Sequence, residues 1–392
     1  MASLTAFPNT NTAENKIFLG YLLLLGASLS LSIAVANILM VTAILYLLIK
    51  HPSVAREQFN NPFIKALLII ALLLQCIESL HDGWLVSKAS KVFLTLITTL
   101  ILGNFLRQCH IAWFPWLFSG LVLGLIIGTV LNQYFNPTYP LWATYSMTYA
   151  NQAAGFALTV GLLSIASKKW WVIVPAFVLM IYYVYMTGER AAVLALALSM
   201  IIMLIILRKY KILIALGVIA TTIAFVNSND LIKSQYDQNV RFDIWQYAYL
   251  VALKDDFLGR GEYQNLNQED LDLYKSFPTG NGKAYLKSVL PHHPKPSYKI
   301  SLHNQFIQFL VEYGIIGALI FLYFLMIPII SAWKTHSLNH EQITFVIIWS
   351  AFVIHCIFET AFDAHTAIIL GLLAGLTGSL NASESETLQV EK

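Results

Sequence analysis

Long apolar runs broken by short polar stretches make up most of the chain. A helix needs about 20 apolar residues to cross the hydrocarbon core of a bilayer, with roughly 17–25 allowed. The pattern therefore predicts an all-α polytopic membrane protein with about twelve transmembrane helices. The predicted spans are 17–33, 35–49, 63–80, 88–106, 110–131, 147–167, 170–187, 190–207, 211–227, 303–333, 343–361 and 364–380, the first two being divided by a bend near residues 34–37.

Composition agrees with this class. Of the 392 residues, 57% are hydrophobic and 11% are charged, whereas about 25% of the residues in a soluble domain are charged. The mean hydropathy is +0.66. The net charge of +3 is too small to indicate a nucleic-acid partner. The three cysteines lie in or beside apolar runs, which favours buried hydrophobic roles over a disulfide framework or a metal site.

Basic residues give an orientation, because Lys and Arg favour cytoplasmic loops. Each basic group follows an even-numbered span: Lys50 and Arg56, Arg107, Lys168 and Lys169, Arg208 to Lys211, and Lys334. Twelve spans with both termini in the cytoplasm satisfy this pattern. The predicted layout is helices 1–9 within residues 1–227, a large periplasmic loop over 228–302, and helices 10–12 with a cytoplasmic tail over 303–392.

The long polar segment 228–302 contains nine basic and nine acidic residues. Within it, residues 239–257 have helical periodicity, with Trp245, Tyr249 and Ala252 three and four positions apart. This predicts a helix lying at the membrane surface. Gly and Pro punctuate the sequence that follows, which indicates loop. The segment is therefore expected to be a partly helical cap over the membrane helices.

Ionisable residues collect at the predicted outer ends of the spans. They are Lys88, Arg190, His303, Glu359 and Asp363, with further acidic residues beside them. A solute transporter more often places such groups near the bilayer midplane, on interrupted helices. Their position at one face, next to the large loop, favours chemistry at the outer membrane surface.

The tenth span has an unusually polar beginning, "SLHNQFIQFLVEYGIIGALIFLYFL" (301–325). Ser301 is a good N-cap residue, which would place His303 in the first helical turn. The positive end of a helix disfavours imidazolium, so His303 is expected to be neutral and able to accept a proton. A polar helix cap at the membrane interface is the alternative interpretation of this stretch.

The same span continues with regularly spaced polar residues and small residues. Asn304, Gln308 and Glu312 are four residues apart, which predicts a polar stripe along one helical face. Gly314 and Gly317 follow, and small residues of this kind permit close helix packing in membranes.

Two arginines are candidates for binding an anionic group. Arg190 is flanked by Gly188, Ala191 and Ala192, which suits packing inside a bundle, although an arginine at a span end is often a snorkelling anchor. A guanidinium can hold a phosphate in bidentate fashion. Arg241 lies one helical turn before Trp245, on which it could stack, and the alternative for Arg241 is an ordinary surface charge.

Four stretches together resemble a known family. They are "MTGERAAVLALAL", "VRFDIWQYAYLVALKDDFLGRGEYQ", "LHNQFIQFLVEYGIIGALIFL" and "FETAFDAHTAIILGLLAGL". Their order, spacing and twelve-span setting resemble the bacterial O-antigen ligases, within a superfamily that also contains O-antigen polymerases and protein O-oligosaccharyltransferases. The His–Asn pair followed by Gly-x-x-Gly is the most specific of these features, and it is shared by ligases and polymerases.

The resemblance implies a GT-C-like glycosyltransferase of the bacterial inner membrane, active on its periplasmic side. It implies transfer of a polysaccharide from undecaprenyl pyrophosphate to a sugar hydroxyl of lipid A-core. By the same resemblance, His303 acts at the acceptor, Arg190 and Arg241 act at the pyrophosphate, and Asp363 is the acidic residue of the last span.

Further substrate contacts are expected from Lys88, Asn304 and Glu359. No cofactor is expected, because pyrophosphate is already a good leaving group, and no carboxylate cluster indicates a metal ion. The expected partners are the lipid-linked glycan donor, the lipid A-core acceptor and membrane lipids. An O-antigen polymerase, a protein O-oligosaccharyltransferase and, in a different class, a lipid or solute transporter remain as alternatives.

Overall fold

The computed structural model describes residues 13–82, 86–141, 143–144, 146–147, 150–209, 238–261, 304–335, 338–359 and 361–379. Regular structure within these ranges is helical. The helices are α1 (Ala13–Leu31), α2 (Ile33–Lys50), α3 (Pro52–Asn60), α4 (Pro62–Asp82), α5 (Lys88–Gln108), α6 (Trp113–Phe135), α7 (Ala150–Leu163), α8 (Trp170–Thr187), α9 (Arg190–Ile206), α10 (Gln238–Lys254), α11 (Gln305–Lys334), α12 (His340–Phe358) and α13 (Ala364–Thr377), and a 3₁₀ turn, Ser164–Ser167, extends α7.

Within the described ranges, eight helices are long and apolar enough to cross a membrane: α2, α4, α5, α6, α7 with its 3₁₀ turn, α8, α11 and α12. Helices α9 and α13 are also apolar, with 17 and 14 residues. The prediction of an all-α, multi-pass membrane protein is therefore confirmed at this level. The predicted ninth span, 211–227, lies outside the described residues, and the total of twelve stays a prediction.

The first two predicted spans correspond to α1 and α2, but the break between them is not the expected bend near residues 34–37. It lies at Ser32, whose hydroxyl accepts a hydrogen bond from the N–H of Val35 at 3.5 Å. Serine is a favourable N-cap residue because its side chain satisfies an unpaired N–H of the first turn. Because Ser32 caps the start of α2, α1 ends at Leu31, before the end of the first span that hydropathy predicts at residue 33.

Close helix packing places α13 against α5. At Gly371 and Gly375 the backbone of α5 lies so near that an added β-carbon would collide with the carbonyl oxygens of Leu96 and Leu100. Small residues allow such contact, and van der Waals packing is a main force between helices in lipid. The fixed interface holds the start of α13 close to the start of α5.

Helix α11 is broken at Gly314, which has φ +69° and ψ −171°. A continuous helix of 30 residues would be about 45 Å long, which exceeds a hydrocarbon core of about 30 Å. The stretch after the break has about 20 residues, the length that a span requires. We call residues 305–313 the outer segment and residues 315–334 the spanning segment. Gly314 does permit a close backbone approach, as expected, but its neighbours are Phe257 and Leu258 in the turn after α10 rather than a membrane helix.

The turn after α10 occupies this break. The N–H of Ile315, which an unbroken helix would direct to Val311, donates to the carbonyl of Phe257 at 2.9 Å. In return, the N–H of Arg260 donates to Val311 O at 3.1 Å and the N–H of Gly261 to Glu312 O at 2.9 Å. Backbone groups exposed by the break thus find partners, as buried polar groups must. We call this contact the α10–α11 joint.

Two local features stabilise the joint. Gly259, with φ +84°, lies against the backbone at Gly314, and neither position has room for a β-carbon. The guanidinium of Arg260, 9% exposed, forms a 2.6 Å ion pair with Asp255 at the end of α10. Helix α10 corresponds to the helix predicted over residues 239–257, and the joint attaches it to the break in α11.

Candidate active site at the polar ends of the helices

Antiparallel helix order brings five of the seven predicted site residues to one end of the bundle. Helices α5, α9, α11 and α13 start there, and α4, α8 and α12 end there. Lys88 is the first residue of α5, Arg190 is the first residue of α9, and Asn304 precedes α11. Glu359 and Asp363 lie in the connection between α12 and α13. Hydrogen bonds join the segments that carry Lys88, Asn304 and Asp363.

The outer segment is attached to the α12–α13 connection. Asn304 donates from Nδ2 to the carbonyl of Ile357 at 2.7 Å. Gln305 accepts the N–H of Phe362 at 3.2 Å. Both amide side chains are 7% exposed. The structure therefore places the start of α11 directly beside the connection that carries Glu359 and Asp363.

The helix start itself differs from the expectation. Asn304, not Ser301, is the N-cap of α11, and its Oδ1 accepts the N–H of Ile307 at 3.0 Å. His303 consequently precedes the helix instead of lying in its first turn, so the argument that the first turn keeps it neutral loses its basis. His303 itself lies outside the described residues.

The polar stripe of the outer segment is buried. Gln308 and Glu312 are each 7% exposed, and Gln308 Nε2 donates to Glu312 Oε1. One residue on, the hydroxyl of Tyr313 is 2.7 Å from that of Ser87. Ser87 caps α5 directly before Lys88, whose side chain is exposed. The outer segment thus links the turn bearing Lys88 to the α12–α13 connection.

Asp363 is the N-cap of α13. Its Oδ1 accepts the N–H of Thr366 at 2.9 Å, and its Oδ2 accepts Nε2 of Gln152 at 2.9 Å. His365 Nδ1 lies 3.6 Å from the same Oδ2. Burial alone would raise the pKa of Asp363, but His365 and the hydrogen bonds from Thr366 together lower it. Asp363 is therefore held as a carboxylate, with part of its capacity to accept hydrogen bonds used within the protein.

Three residues in this network were missed by the sequence analysis: Ser146, Gln152 and His365. Ser146 Oγ is 3.0 Å from His365 Nε2, and the backbone N–H of Ser146 donates to Ser30 O at 3.1 Å. Sequence signals for them existed. The amide of Gln152 is unusual at the start of an apolar span, and His365 is two residues from the predicted site residue Asp363.

Glu359 is buried at the end of α12, where its backbone N–H donates to His355 O at 2.8 Å. A buried carboxylate in a membrane segment is costly and usually marks a functional cavity. Glu359 shares the α12–α13 connection with Asp363, so the two acidic residues predicted for the last outer turn lie on one short segment beside the outer segment of α11.

Arg190 lies at the mouth of an apolar groove. The arginine is exposed, and Glu189 caps α9 by accepting the N–H of Ala191 at 3.3 Å. The groove has a volume of about 550 Å³ and runs between α7, α8 and α9. Its apolar lining includes Leu158, Met180, Val184, Val193 and Leu196.

Arg241 belongs to α10, but its side chain lies outside what the structure describes. Whether the two arginines share a cavity therefore stays a prediction. The α10–α11 joint does connect the helix of Arg241 to the outer segment that starts at Asn304. Among the described residues, no group of three or more His, Cys, Asp or Glu side chains could hold a metal ion.

The arrangement combines three chemical features at one end of the bundle. It has buried amides and carboxylates around the start of α11, exposed cations at the starts of α5 and α9, and an apolar groove beside one of those cations. Such a site suits a substrate with an anionic centre, an apolar chain and hydroxyl groups.

Comparison with known proteins identifies one family. Residues 175–322 match the family model described as O-Antigen ligase. The matched range runs from α8 into the spanning segment of α11, and it includes Arg190, Arg241, His303 and Asn304. Lys88, Glu359 and Asp363 lie outside it. No curated protein matches the chain.

Proposed function

We propose that the chain is a glycosyltransferase acting on a lipid-linked glycan, because residues 175–322 match the O-antigen ligase family model. In our proposal it transfers O-antigen polysaccharide from undecaprenyl pyrophosphate to a sugar hydroxyl of lipid A-core. The observation that carries this proposal is the attachment of Asn304 and Gln305 to the connection bearing Glu359 and Asp363. It places Asn304, the described member of the predicted His–Asn pair, beside the connection that carries the two acidic residues.

The proposed reaction is an in-line displacement at the anomeric carbon. The acceptor oxygen forms a bond to that carbon while the bond to the pyrophosphate oxygen breaks, and the configuration inverts. His303 takes the proton of the acceptor hydroxyl as general base. The pyrophosphate leaves with the bonding electron pair, and Arg190 and Arg241 offset the charge that develops on it. No metal ion has a step in this scheme.

The remaining site residues have supporting roles in the proposal. Lys88, exposed at the start of α5, contacts the carrier phosphate. Asn304 and Glu359 contact the glycan or the acceptor, and Asp363 orients either an arginine or the acceptor sugar. Asn304 and Asp363 also hold the backbone through their caps, so each would combine a structural and a substrate-binding role.

The groove beside Arg190 supports a polyprenyl donor. Its walls are apolar side chains of three membrane helices, and its mouth carries a cation. An isoprenoid chain in this groove would bury its surface against protein while its pyrophosphate reaches the guanidinium. A polar solute would gain no contact with the apolar walls. The groove therefore favours a lipid-linked substrate over the alternative of a solute transporter.

We propose that the protein lies in the inner membrane and that the end of the bundle with the site residues faces the periplasm. Residues 228–302 would form a partly helical cap over this end, in a GT-C-like arrangement. Cysteine placed at Ser276 should react with a membrane-impermeant maleimide added to intact spheroplasts. Cysteine placed at Lys209, after α9, should react only when the membrane is opened. Labelling of Ser276→Cys from the cytoplasmic side alone would overturn this orientation.

Analysis of lipopolysaccharide in a deletion strain tests the function. Loss of the protein should leave lipid A-core without O-antigen while undecaprenyl-linked polysaccharide accumulates, and the wild-type gene should restore the attachment. Core carrying a single repeat unit would indicate an O-antigen polymerase instead. Normal lipopolysaccharide together with an unglycosylated membrane or secreted protein would indicate a protein O-oligosaccharyltransferase.

A further inference from the structure

The proposed reaction does not use a hydrogen-bonded network on the α7 side of Asp363. Three parts of the chain meet there: the segment before α7 with Ser146, the start of α7 with Gln152, and the first turn of α13 with His365. Ser146 Oγ lies 3.0 Å from His365 Nε2, and His365 Nδ1 lies 3.6 Å from Asp363 Oδ2. Gln152 reaches the same carboxylate oxygen at 2.9 Å.

The network is well shielded. The side chain of His365 is 12% exposed and that of Asp363 is 26% exposed. A small cavity of about 40 Å³ adjoins both of them and is also lined by Asn151, Gln152 and His355. Such a space is large enough for water and has the polar partners that a buried water needs. Shielding of this degree strengthens the interaction between His365 and the carboxylate.

The geometry points to His365 as a positioning residue of the transfer site, which aligns the Asp363 carboxylate while Ser146 fixes the orientation of the imidazole ring. This inference rests on the proposed function, because it gives Asp363 a role in transfer. His365 acts through Asp363 and does not itself contact the reacting atoms.

Ring orientation follows from the two contacts. If the Ser146 hydroxyl donates to Nε2, the ring proton resides on Nδ1 and faces Asp363 Oδ2. If the ring is doubly protonated, Nδ1–H still faces the carboxylate and Ser146 accepts from Nε2–H. In both states the carboxylate is stabilised by His365. Gln152 and the N–H of Thr366 hold its two oxygens in place.

The titratable groups around Asp363 come from two helices. Helix α13 contributes His365, and α12 contributes Cys356 and the His355 of the shared cavity. Helix α7 contributes the amides of Asn151 and Gln152, and the outer segment contributes Gln305, bound to the N–H of Phe362. Among these groups, His365 has the largest lowering effect on the pKa of Asp363.

Two isosteric variants separate alignment from packing. In His365→Asn the amide nitrogen takes the place of Nδ1 and can still donate toward Asp363. In His365→Gln the amide reaches the place of Nε2 and keeps the contact to Ser146 alone. The matched control is His340→Gln at the opposite end of α12, where His340 Nε2 lies 2.7 Å from Ile165 O.

Transfer is measured in membranes with the host's undecaprenyl-pyrophosphate-linked O-antigen and lipid A-core. We expect His365→Gln to lower the rate about 10-fold, because the partly buried carboxylate loses its electrostatic contact with the imidazole. His365→Asn should retain most of the wild-type rate, and His340→Gln should retain all of it. An equal loss in the two His365 variants would assign His365 to packing and overturn the inference, as would wild-type rates in both.

Melting temperature as a function of pH provides a readout that is independent of the reaction. The lowered pKa of Asp363 contributes stability that is present above the unfolded pKa of about 3.9 and is lost as the pH falls through the folded value. The melting temperature of His365→Gln should therefore lie below that of wild type at pH 6, and this gap should close as the pH falls through the lowered pKa of Asp363. A gap that is constant with pH would overturn the inference. Absence of transfer by wild type would instead refute the proposed function, and the melting curves would still decide the role of His365.

Discussion

The two parts of α11 are continuous in sequence and opposite in environment. In the outer segment, the polar side chains Gln308 and Glu312 are each 7% exposed. In the spanning segment, the apolar side chains Ile316, Leu319 and Tyr323 are 61%, 58% and 62% exposed. Membrane helices present apolar side chains to lipid, so exposure in the spanning segment is expected of a span. Burial of polar side chains in the outer segment requires protein partners.

The partners found in the structure explain why the outer segment differs. Asn304 and Gln305 bind the α12–α13 connection, and Tyr313 binds the cap of α5. The spanning segment needs length and apolarity, which many sequences supply. The outer segment needs particular partners at particular distances. We expect substitutions in and around the outer segment to change transfer more than stability, and substitutions at the break to change both.

The largest effect is expected at His303, two residues before the outer segment. His303→Ala should lower transfer by about 10²–10⁴-fold, the usual scale for removal of a general base, while the lipid-linked donor still binds because the arginines remain. Donor binding and transfer are measured in parallel on membranes containing equal amounts of protein.

His340→Ala, at the opposite end of α12, is the control for His303→Ala and should transfer normally. Near-normal transfer by His303→Ala would falsify the assignment of the base. Loss of donor binding together with transfer would instead place His303 at the pyrophosphate or in the structural framework.

A smaller effect is expected at the two arginines, Arg190 beside the apolar groove and Arg241 on α10. Arg190→Lys keeps the charge but loses the planar fork that binds phosphate in bidentate fashion, and transfer should fall roughly 10–100-fold, as for loss of a hydrogen bond to a charged group. Arg241→Lys should behave in the same way. The loss should appear mainly when donor is limiting.

Arg56→Lys is the matched conservative change for the two arginines. Arg56 is exposed on α3, at the end of the bundle opposite to the proposed site, and its replacement should leave transfer unchanged. Full activity in both the Arg190→Lys and Arg241→Lys enzymes would remove the pyrophosphate clamp from the proposal.

Substitution of Gly314, which separates the outer segment from the spanning segment, should mainly lower the stability of the protein. Gly314→Ala places a side chain at φ +69° and ψ −171°, a conformation that is essentially restricted to glycine and costs about 1–3 kcal/mol. The new β-carbon also collides with the backbone at Phe257 and Leu258. We expect a lower free energy of unfolding in detergent and, because the joint positions α10, reduced transfer.

Gly20→Ala is the control for Gly314→Ala, because open space surrounds Gly20 in the middle of α1. It should unfold at the wild-type denaturant concentration or slightly above it, since Ala is the better helix former. If Gly314→Ala were as stable as Gly20→Ala, the α10–α11 joint would have to be looser than the structure indicates.

The smallest effect on stability is expected at the cap of the outer segment. Asn304→Ala removes the N-cap, which costs about 1 kcal/mol, and also removes the bond to Ile357. Asn339→Ala removes a comparable cap from α12, where Asn339 and Gln342 form a capping box. Asn304→Ala should lose somewhat more stability than Asn339→Ala, because it also removes the bond to Ile357, but transfer should fall in Asn304→Ala alone. Equal transfer in the two variants would make Asn304 a cap without a role in the site.

Several features of this protein were predictable from the sequence because they depend on local composition. Apolar runs predicted the membrane helices, Trp245 and Tyr249 predicted the helix within the polar segment, and the His–Asn and Gly-x-x-Gly residues indicated the family. Residues that bear charge next to apolar runs, such as Asp363 and Glu359, were identified as candidates because charges in lipid are costly and therefore conspicuous.

Tertiary structure alone decided the remaining features. The conformation of Gly314 is decided by the turn after α10, which supplies partners for backbone groups that a continuous helix would pair internally. Ser146 and His365 lie 219 positions apart in the chain, and no local pattern relates them. Local sequence sets which residues avoid lipid, whereas the partner of each buried polar group depends on how distant helices pack, because a hydrogen bond requires two groups to meet within about 3 Å.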